Sequence, residues 1–552
     1  MLKTLGKYLL IGLLLLVIAA GGFYFGSRYS LKKANRYDLK KLNTTLRLID
    51  NYYVDSVSVD SLVEGVVPQL LNELDPHSSY FTPKQQEEDK ASMEGKFFGI
   101  GVTFNTIIDT AVVVSVIPNG PSDLVGIKAG DRIIKVNGMP ISGKSFTADS
   151  IRTLLKGPDK SKVNLSIYRP MERKNLAIQV IRGEVDVRQT QAVFMINDSL
   201  GCIKIPRFSM GVHEDFLKGY ASLLSQGLKG IVLDLRDNPG GLMHAALAIS
   251  NEFLPAKRMI IYTQGRSEPK QVIYSDGAGT IKTLPVYVLI NESSASSSEI
   301  VAGALQDNDR AVIIGRRSFG KGLVQKAFDF PDGSSIHLTI ARYYTPSGRS
   351  IQREYKLGGD EAYSTDWYRR LISGEMYHAD SMQLDTTQVY RTYEGRPVYG
   401  GGGIVPDIFI PRDTVGFTSY YGEVVSKGLV QKYGFIYADK YRNILSKLRD
   451  GMDCYAFLKN QRIVWQFAQW AATQGVRQKN YLIYLSHDLL LRNLSMLIVS
   501  NIFGEDEAAK VDSQSDTMIL KAAELFATGV ASPTEIPPIS IELPKADADS
   551  IH

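Results

Sequence analysis

Pro285-Val-Tyr-Val-Leu-Ile290, running directly into Asn291-Glu-Ser-Ser-Ala-Ser-Ser-Ser-Glu-Ile300, is the stretch on which the fold turns. A short, unbroken apolar run without polar alternation has the pattern of a strand buried on both faces. The serines that follow are the residue types that cap a helix, because their side-chain oxygens satisfy its first unpaired N–H groups. Buried strand, tight turn and helix together hold a side chain rigidly with its oxygen exposed. A second segment, Arg316-Arg-Ser-Phe-Gly-Lys-Gly-Leu-Val-Gln325, supplies a lysine between two glycines, a setting in which an amine can be buried and kept neutral. The pair suggests hydrolysis by a serine nucleophile with a lysine as general base.

Working outward, Gly201-Cys-Ile-Lys-Ile205, Gly230-Ile-Val-Leu-Asp-Leu235 and Ala311-Val-Ile-Ile314 read as further core strands, and 334–343 as another. Helices are predicted over 212–224 and from Glu299 to Leu305. Repeated strand–helix–strand alternation gives an α/β class with a central sheet, placed at 184–412. Residues 360–395 lack a core period and read as an exposed insertion. Residues 29–93 carry helical spacing, as in Leu39, Leu42, Leu46 and Ile49. They end in the break Asp75-Pro-His-Ser-Ser-Tyr-Phe-Thr-Pro83, read as an ordered turn in which His77 has no evident partner. Residues 413–530 form a second helical region, where Trp465 and Trp470 pack a core. A flexible tail is expected over 531–552.

Between these, 94–183 changes to short β runs separated by glycine turns. Gly126-Ile-Lys-Ala-Gly-Asp-Arg-Ile-Ile-Lys-Val-Asn-Gly138 resembles a PDZ domain, and Phe98-Gly-Ile-Gly101 matches the region of its carboxylate-binding loop. Glycines let backbone N–H groups converge on a terminal carboxylate, and a neighbouring strand edge accepts the peptide as an added strand.

Composition excludes several classes. Net charge is only +5, from 63 basic against 58 acidic side chains, with no dense Lys/Arg block, so no nucleic-acid partner is expected. No His-Glu-x-x-His stretch occurs, which argues against a metallopeptidase, and no metal or cofactor is expected. Cys202 and Cys454 form no metal or redox spacing. Tyr8 to Ser27 is uncharged over 20 residues, about 30 Å as a helix, and is read as an uncleaved signal anchor within 1–28. Lys3 and Lys7 precede the span, whereas Arg28, Lys32, Lys33 and Arg36 follow it, which by charge alone would keep the chain's bulk inside.

Five motifs in order carry a closer resemblance: Asp234-Leu-Arg-Asp-Asn-Pro-Gly-Gly241, Ser294-Ala-Ser-Ser-Ser-Glu-Ile300, Phe319-Gly-Lys-Gly-Leu-Val-Gln325, Tyr344-Thr-Pro-Ser-Gly-Arg-Ser-Ile-Gln352 and Gly403-Ile-Val-Pro-Asp407. Over roughly residues 40–412 the chain resembles the carboxyl-terminal processing proteases, the tail-specific S41 serine peptidases. The resemblance implies a protease core with an inserted PDZ β domain and helical N- and C-terminal regions. It implies Ser296 as nucleophile, Lys321 as base and Gln325 as the residue orienting the lysine. Gly241 and Ser297 are implied as oxyanion donors, with Gly240 near enough in sequence to compete. Serine stands at 297 where family patterns have alanine. The implied partners are protein or peptide substrates with free, apolar C-termini, bound at Phe98, Gly99, Ile100 and Gly101, and the bacterial inner membrane. A second copy or an adaptor is a candidate partner for the C-terminal helices. The implied location of the catalytic part is the periplasm, overriding the charge count. A Ser/His/Asp hydrolase using His244 or His337, and an inactive PDZ scaffold, are the competing readings.

Overall fold

The computed structural model describes residues 40–106, 110–141, 146–186, 188–358, 361–382 and 387–537. The expected anchor, 1–28, and the tail beyond 537 lie outside these residues. No described helix is long and apolar enough to cross a membrane. The chain divides into two units, 1–74 and 75–552. The first contains the helices Lys40–Tyr52 and Val59–Asn72, the second of them capped by the Ser58 side chain. Both follow the sequence periodicity, yet Leu42, Val66 and Leu70 of their apolar faces stay exposed.

The second unit is built on a six-stranded sheet in the order Ala192–Met195, Leu200–Lys204, Gly230–Asp234, Val286–Ile290, Val312–Gly315, Ile408–Phe409. The first pair is antiparallel and the rest are parallel. Every residue of Gly230–Asp234 and Val286–Ile290 is buried, as expected for strands covered on both faces. Helix Ser297–Asp307 is buried along its entire length, so its polar residues need partners inside the protein. Asp307 finds Arg349 at 2.7 Å, with both side chains fully buried. Arg349 also donates to Gln306 Oε1 and to the Tyr399 carbonyl, each at 2.8 Å. Arg349→Leu leaves the Asp307 carboxylate buried without its cation and is expected to destabilise the chain by about 3–5 kcal/mol in urea unfolding. A loss under about 1 kcal/mol, typical of exposed pairs, would contradict this role.

A second sheet runs Ser79–Phe81, Ser335–Tyr344, Met259–Gln264, Gln271–Tyr274, with Leu323–Asp329 also paired to Ser335–Tyr344. The long strand Ser335–Tyr344 thereby brings the segment around Asp75 beside the segment carrying Lys321. Residues 102–181 form an antiparallel sheet in the order Val102–Asn105, Ala111–Val116, Arg132–Val136, Lys162–Arg169, Lys174–Ile181.

The C-terminal helices span Ser419–Ser426 to Thr517–Ala527, and Trp465 and Trp470 pack against their core. The last helix places Met518, Ile519, Ala522 and Leu525 against Val232, Tyr287, Leu289, Val312 and Ile314, covering one face of the central sheet. Two expectations are corrected. Residues 531–537 are not a free tail: Ile536 packs on the same apolar layer, and the Tyr287 hydroxyl donates to the Val530 carbonyl at 2.7 Å. The insertion is not simply exposed either, since Tyr363, Asp366, Arg370, Glu375, Met376 and Thr392 are buried. Its period is hidden because much of what it buries is charge rather than hydrocarbon.

Candidate active site

Strand Val286–Ile290 delivers the serine turn to the parallel sheet's carboxyl end, and helix Ser297–Asp307 leads away from it. Ser296 sits at the junction with φ +54° and ψ −111°, an uncommon conformation for a residue with a side chain. Its neighbours hold it there. Ser294 Oγ donates to the Leu235 carbonyl, Ser297 Oγ to the Gly241 carbonyl and Ser298 Oγ to the Asn238 carbonyl, at 2.8, 2.9 and 2.9 Å. Those three side chains are buried and engaged, whereas Ser293 is exposed in the turn. Ser296 is half-buried, and its hydroxyl donates to nothing among the described residues. The structure thus separates five serines that sequence alone left equivalent.

The Lys321 segment passes between the serine turn and Gly402–Ile404. Phe319 N–H donates to the Ser294 carbonyl at 2.9 Å and Ser318 N–H to the Ile404 carbonyl at 3.0 Å. Gly320 is at φ +89°, where a Cβ would come within 3.0 Å of the Gly402 backbone, so a side chain there is disfavoured twice. Lys321 is half-buried, and among the described residues its amine makes neither an ion pair nor a hydrogen bond. Burial lowers its pKa, with Glu299 and Asp75 pulling weakly the other way. Tyr343 OH lies 2.7 Å from the Lys321 carbonyl and 3.1 Å from that of Ser296, its one proton shared between the two segments.

Glu299, absent from the sequence-derived set, joins these segments more directly. One carboxylate oxygen accepts from Ser318 Oγ and from Gly320 N–H at 2.7 Å. The other accepts from Ser296 N–H at 2.8 Å and Lys321 N–H at 2.9 Å. A single fully buried carboxylate therefore fixes the backbones of both Ser296 and Lys321. Burial pushes its pKa up to about 7 against the pull of those donors. The only sequence signal was its place three residues after Ser296, the spacing of a capping box.

Gln325 donates to Thr339 Oγ1 at 3.2 Å, and Thr339 Oγ1 lies 3.2 Å from Asp75 Oδ1, onto which it donates. No hydrogen bond joins Gln325 to the Lys321 amine among the described residues. The Asp75–Phe81 segment, read from sequence as an ordered turn, supplies part of the site's wall. His77 does have a partner: its Nε2 lies 2.6 Å from Tyr363 OH. Burial first, then the charge of Lys321, pulls His77 down to about 4, so it is neutral at pH 7. Behind Phe319, Arg353 and Arg370 pair with Asp366, Arg317 pairs with Glu375, and Arg370 donates to the Ser318 carbonyl at 2.8 Å. The insertion thus braces the backbone that carries Lys321.

In Asn238-Pro-Gly-Gly241 the Gly240 N–H is already taken by Asn238 Oδ1 at 2.8 Å. The amides of Gly241 and Ser297 have no acceptor among the described residues, which leaves these two available to an oxyanion. A Cβ at Gly240 would fall 2.8 Å from Ser296 Cβ, a measure of how closely this turn packs on the serine. His244 and His337 make no hydrogen bond to Ser296, and no cluster of metal-ligating side chains occurs among the described residues.

The four residues expected to hold a peptide carboxylate lie elsewhere. Lys96–Gly99 pairs with Gly183–Asp186, and Gly101 turns at φ +71°. The carbonyls of Phe98, Ile100 and Gly101 accept from Gly157, Ser122 and Ile117 N–H at 3.3, 2.9 and 3.0 Å, while the Ile100 and Gly101 amides are unengaged among the described residues. Phe98 is exposed and Ile100 buried.

Residues 199–359 match peptidase family S41, 112–169 match the PDZ domain, and 420–504 match DUF8443, a family of unknown function. The chain is 35% identical over 319 residues to a carboxy-terminal-processing protease of Bartonella bacilliformis, covering 57% of this chain and 72% of that one. It is 31% identical over 342 residues to the carboxy-terminal processing protease CtpA of Bacillus subtilis, covering 62% and 72% respectively. Among solved structures it aligns with a photosystem II D1 C-terminal processing protease at 26% identity and TM-score 0.31, over 56% of this chain and 88% of that one. With its S41 core, PDZ domain and relatives of this kind, the chain belongs to the carboxy-terminal processing proteases and is a serine peptidase.

Proposed function

We propose that this peptidase works by a Ser/Lys mechanism on polypeptides recognised through their C-terminal tails. In its neutral form Lys321 takes the proton of Ser296 Oγ as that oxygen attacks the peptide carbonyl. The Gly241 and Ser297 amides stabilise the resulting oxyanion. The Lys321 ammonium then protonates the leaving amine, and an ester to Ser296 remains. Water, deprotonated by the same amine, hydrolyses that ester and regenerates both residues. The family resemblance assigns the orienting of the amine to Gln325, which is anchored through Thr339 to Asp75 and makes no hydrogen bond to that amine among the described residues. The observation that carries this reading is the pairing of an uncommitted Ser296 hydroxyl with a desolvated, unpaired Lys321 amine, their backbones held by one carboxylate.

Substrate tails would bind at the Phe98–Gly101 turn, with Ile100 and Gly101 amides meeting the carboxylate and Phe98 the apolar side chain. Calorimetry on full-length Ser296→Ala protein, with apolar peptides differing only in C-terminal amidation, is expected to give about tenfold or greater preference for the free acid. Equal affinities would remove the carboxylate readout without touching the chemistry.

We place the catalytic part in the periplasm, anchored through Tyr8–Ser27. Added protease should digest it in spheroplasts while a cytoplasmic control survives. Protection until the inner membrane is lysed would reverse the orientation.

A further inference from the structure

The helical region meets its surroundings through two contacts of opposite character. Toward the protease core it is bolted. Arg188 forks onto Asp506 with its Nη1 and Nη2 at 2.8 and 2.6 Å, and Asp506 also accepts from Val193 N–H at 2.8 Å. Arg236 reaches Asp516 at 2.7 Å, and the last helix shares the apolar layer of the central sheet.

Toward the PDZ domain the helix His487–Phe503 lies beside strand Ala111–Val116, and the charged part of the contact among the described residues is a single ion pair. Arg132 Nη2 pairs with Asp439 Oδ2 at 2.7 Å, their side chains only 28% and 14% exposed. The neighbouring turn at Gly130, φ +91°, rests on Arg442, whose Cδ a Cβ at Gly130 would approach to 3.3 Å. Arg442 Nη1 donates to the Asn501 carbonyl at 3.0 Å. Yet among the described residues Arg132 Nε and both Nε and Nη2 of Arg442 are buried with no acceptor. Each has given up its hydrogen bond to water without replacing it. One ion pair thus stands beside three donors without acceptors among the described residues, so the polar part of the contact is weak.

On the PDZ side this contact is a stiff handle. Asp131, between Gly130 and Arg132, holds Arg169 through two 2.7 Å bonds and accepts from Lys128 N–H at 2.9 Å. The turn therefore moves with its domain.

We propose that the helical region is a fixed post for the PDZ domain, and that Arg132–Asp439 over Arg442 is a releasable latch setting that domain's orientation relative to Ser296 and Lys321. The consequence for cleavage rests on the reading of the PDZ domain as a receptor for substrate tails. The latch itself does not.

Two full-length variants should respond in opposite directions. Asp439→Ala removes the one acceptor, and amide exchange at 130–136 and 439–445 should quicken by about tenfold. Arg442→Met keeps the stem beneath Gly130 and deletes two unmet donors together with the one bond to the Asn501 carbonyl, and exchange at the same amides should slow. Strands Gly230–Asp234 and Val286–Ile290 should be unchanged in both. Unchanged exchange, or shifts of the same sign, would overturn the latch, as would faster exchange spreading into those core strands. In the activity arm, the ratio of kcat/KM for free-acid over amidated peptide should move by about fivefold or more in Asp439→Ala, amidated peptide being cleaved as by wild type. An unmoved ratio beside the expected exchange would overturn control of cleavage. A wild type that treats both peptides alike would instead overturn tail recognition and leave the latch standing.

Discussion

Lys321→Ala is expected to lower kcat/KM for an unstructured peptide by on the order of 10⁴-fold, with PDZ binding and fold intact. The size follows from what is lost. Without a base, the Ser296 hydroxyl at neutral pH is a poor nucleophile, and the leaving amine has no proton donor. Lys321→Arg should be nearly as inactive, because a guanidinium stays protonated. In wild type, activity should climb with pH as the amine loses its proton. Burial has lowered that pKa, so the climb ends below the range of an exposed lysine, about 10.4. His77 feels the charge of Lys321, but its lowered pKa of about 4 makes it a weak base and its Nε2 is already engaged by Tyr363. Near-wild-type turnover by Lys321→Ala at neutral and alkaline pH would end the Ser/Lys reading.

Glu299→Gln should come second, at about 10²-fold in kcat with little change in KM, a loss of the size caused by misplacing reacting groups. Its two oxygens face four donors: Ser318 hydroxyl and the amides of Gly320, Ser296 and Lys321. A glutamine is nearly isosteric but presents an NH₂ where an acceptor stood, so donor faces donor. Were Glu299 only filling space, Gln would behave as wild type and Ala would not. Here Gln should resemble Ala in rate. Protonation acts similarly below about pH 7, adding to the acid loss of activity in wild type but not in the Gln variant. The sign for stability is the reverse. The folded pKa of about 7 lies above the usual 4.5, so the folded state binds the extra proton. This group's contribution therefore falls as pH rises from about 4.5 to about 7 and is constant above. Wild-type kinetics for Glu299→Gln would remove the positioning role.

The elements that carry the candidate site were legible in the sequence because their motifs are local. The apolar run 286–290, the serine turn and the lysine between glycines each specify their own conformation. What sequence could not resolve is what long-range pairing decides. Ser294, Ser297 and Ser298 are chemically the same as Ser296 until Leu235, Gly241 and Asn238 supply carbonyls for their hydroxyls. Gly240 and Gly241 differ only once Asn238 folds back on the first. Asp75 and Thr339 are brought together across 264 positions by one strand pairing, and nothing local marks them. The insertion was misread because hydrophobic periodicity cannot reveal a segment whose buried groups include Asp366, Arg370 and Glu375.

The most direct test of the central claim is where a covalent acyl group lands. Wild-type protein is incubated with an activated ester and quenched in acid, and the adduct is located by intact mass and peptide mapping. One acyl group per chain on Ser296, absent from Ser296→Ala and strongly slowed in Lys321→Ala, is the predicted result. An adduct on exposed Ser293, or equal labelling with and without the Lys321 amine, would contradict it.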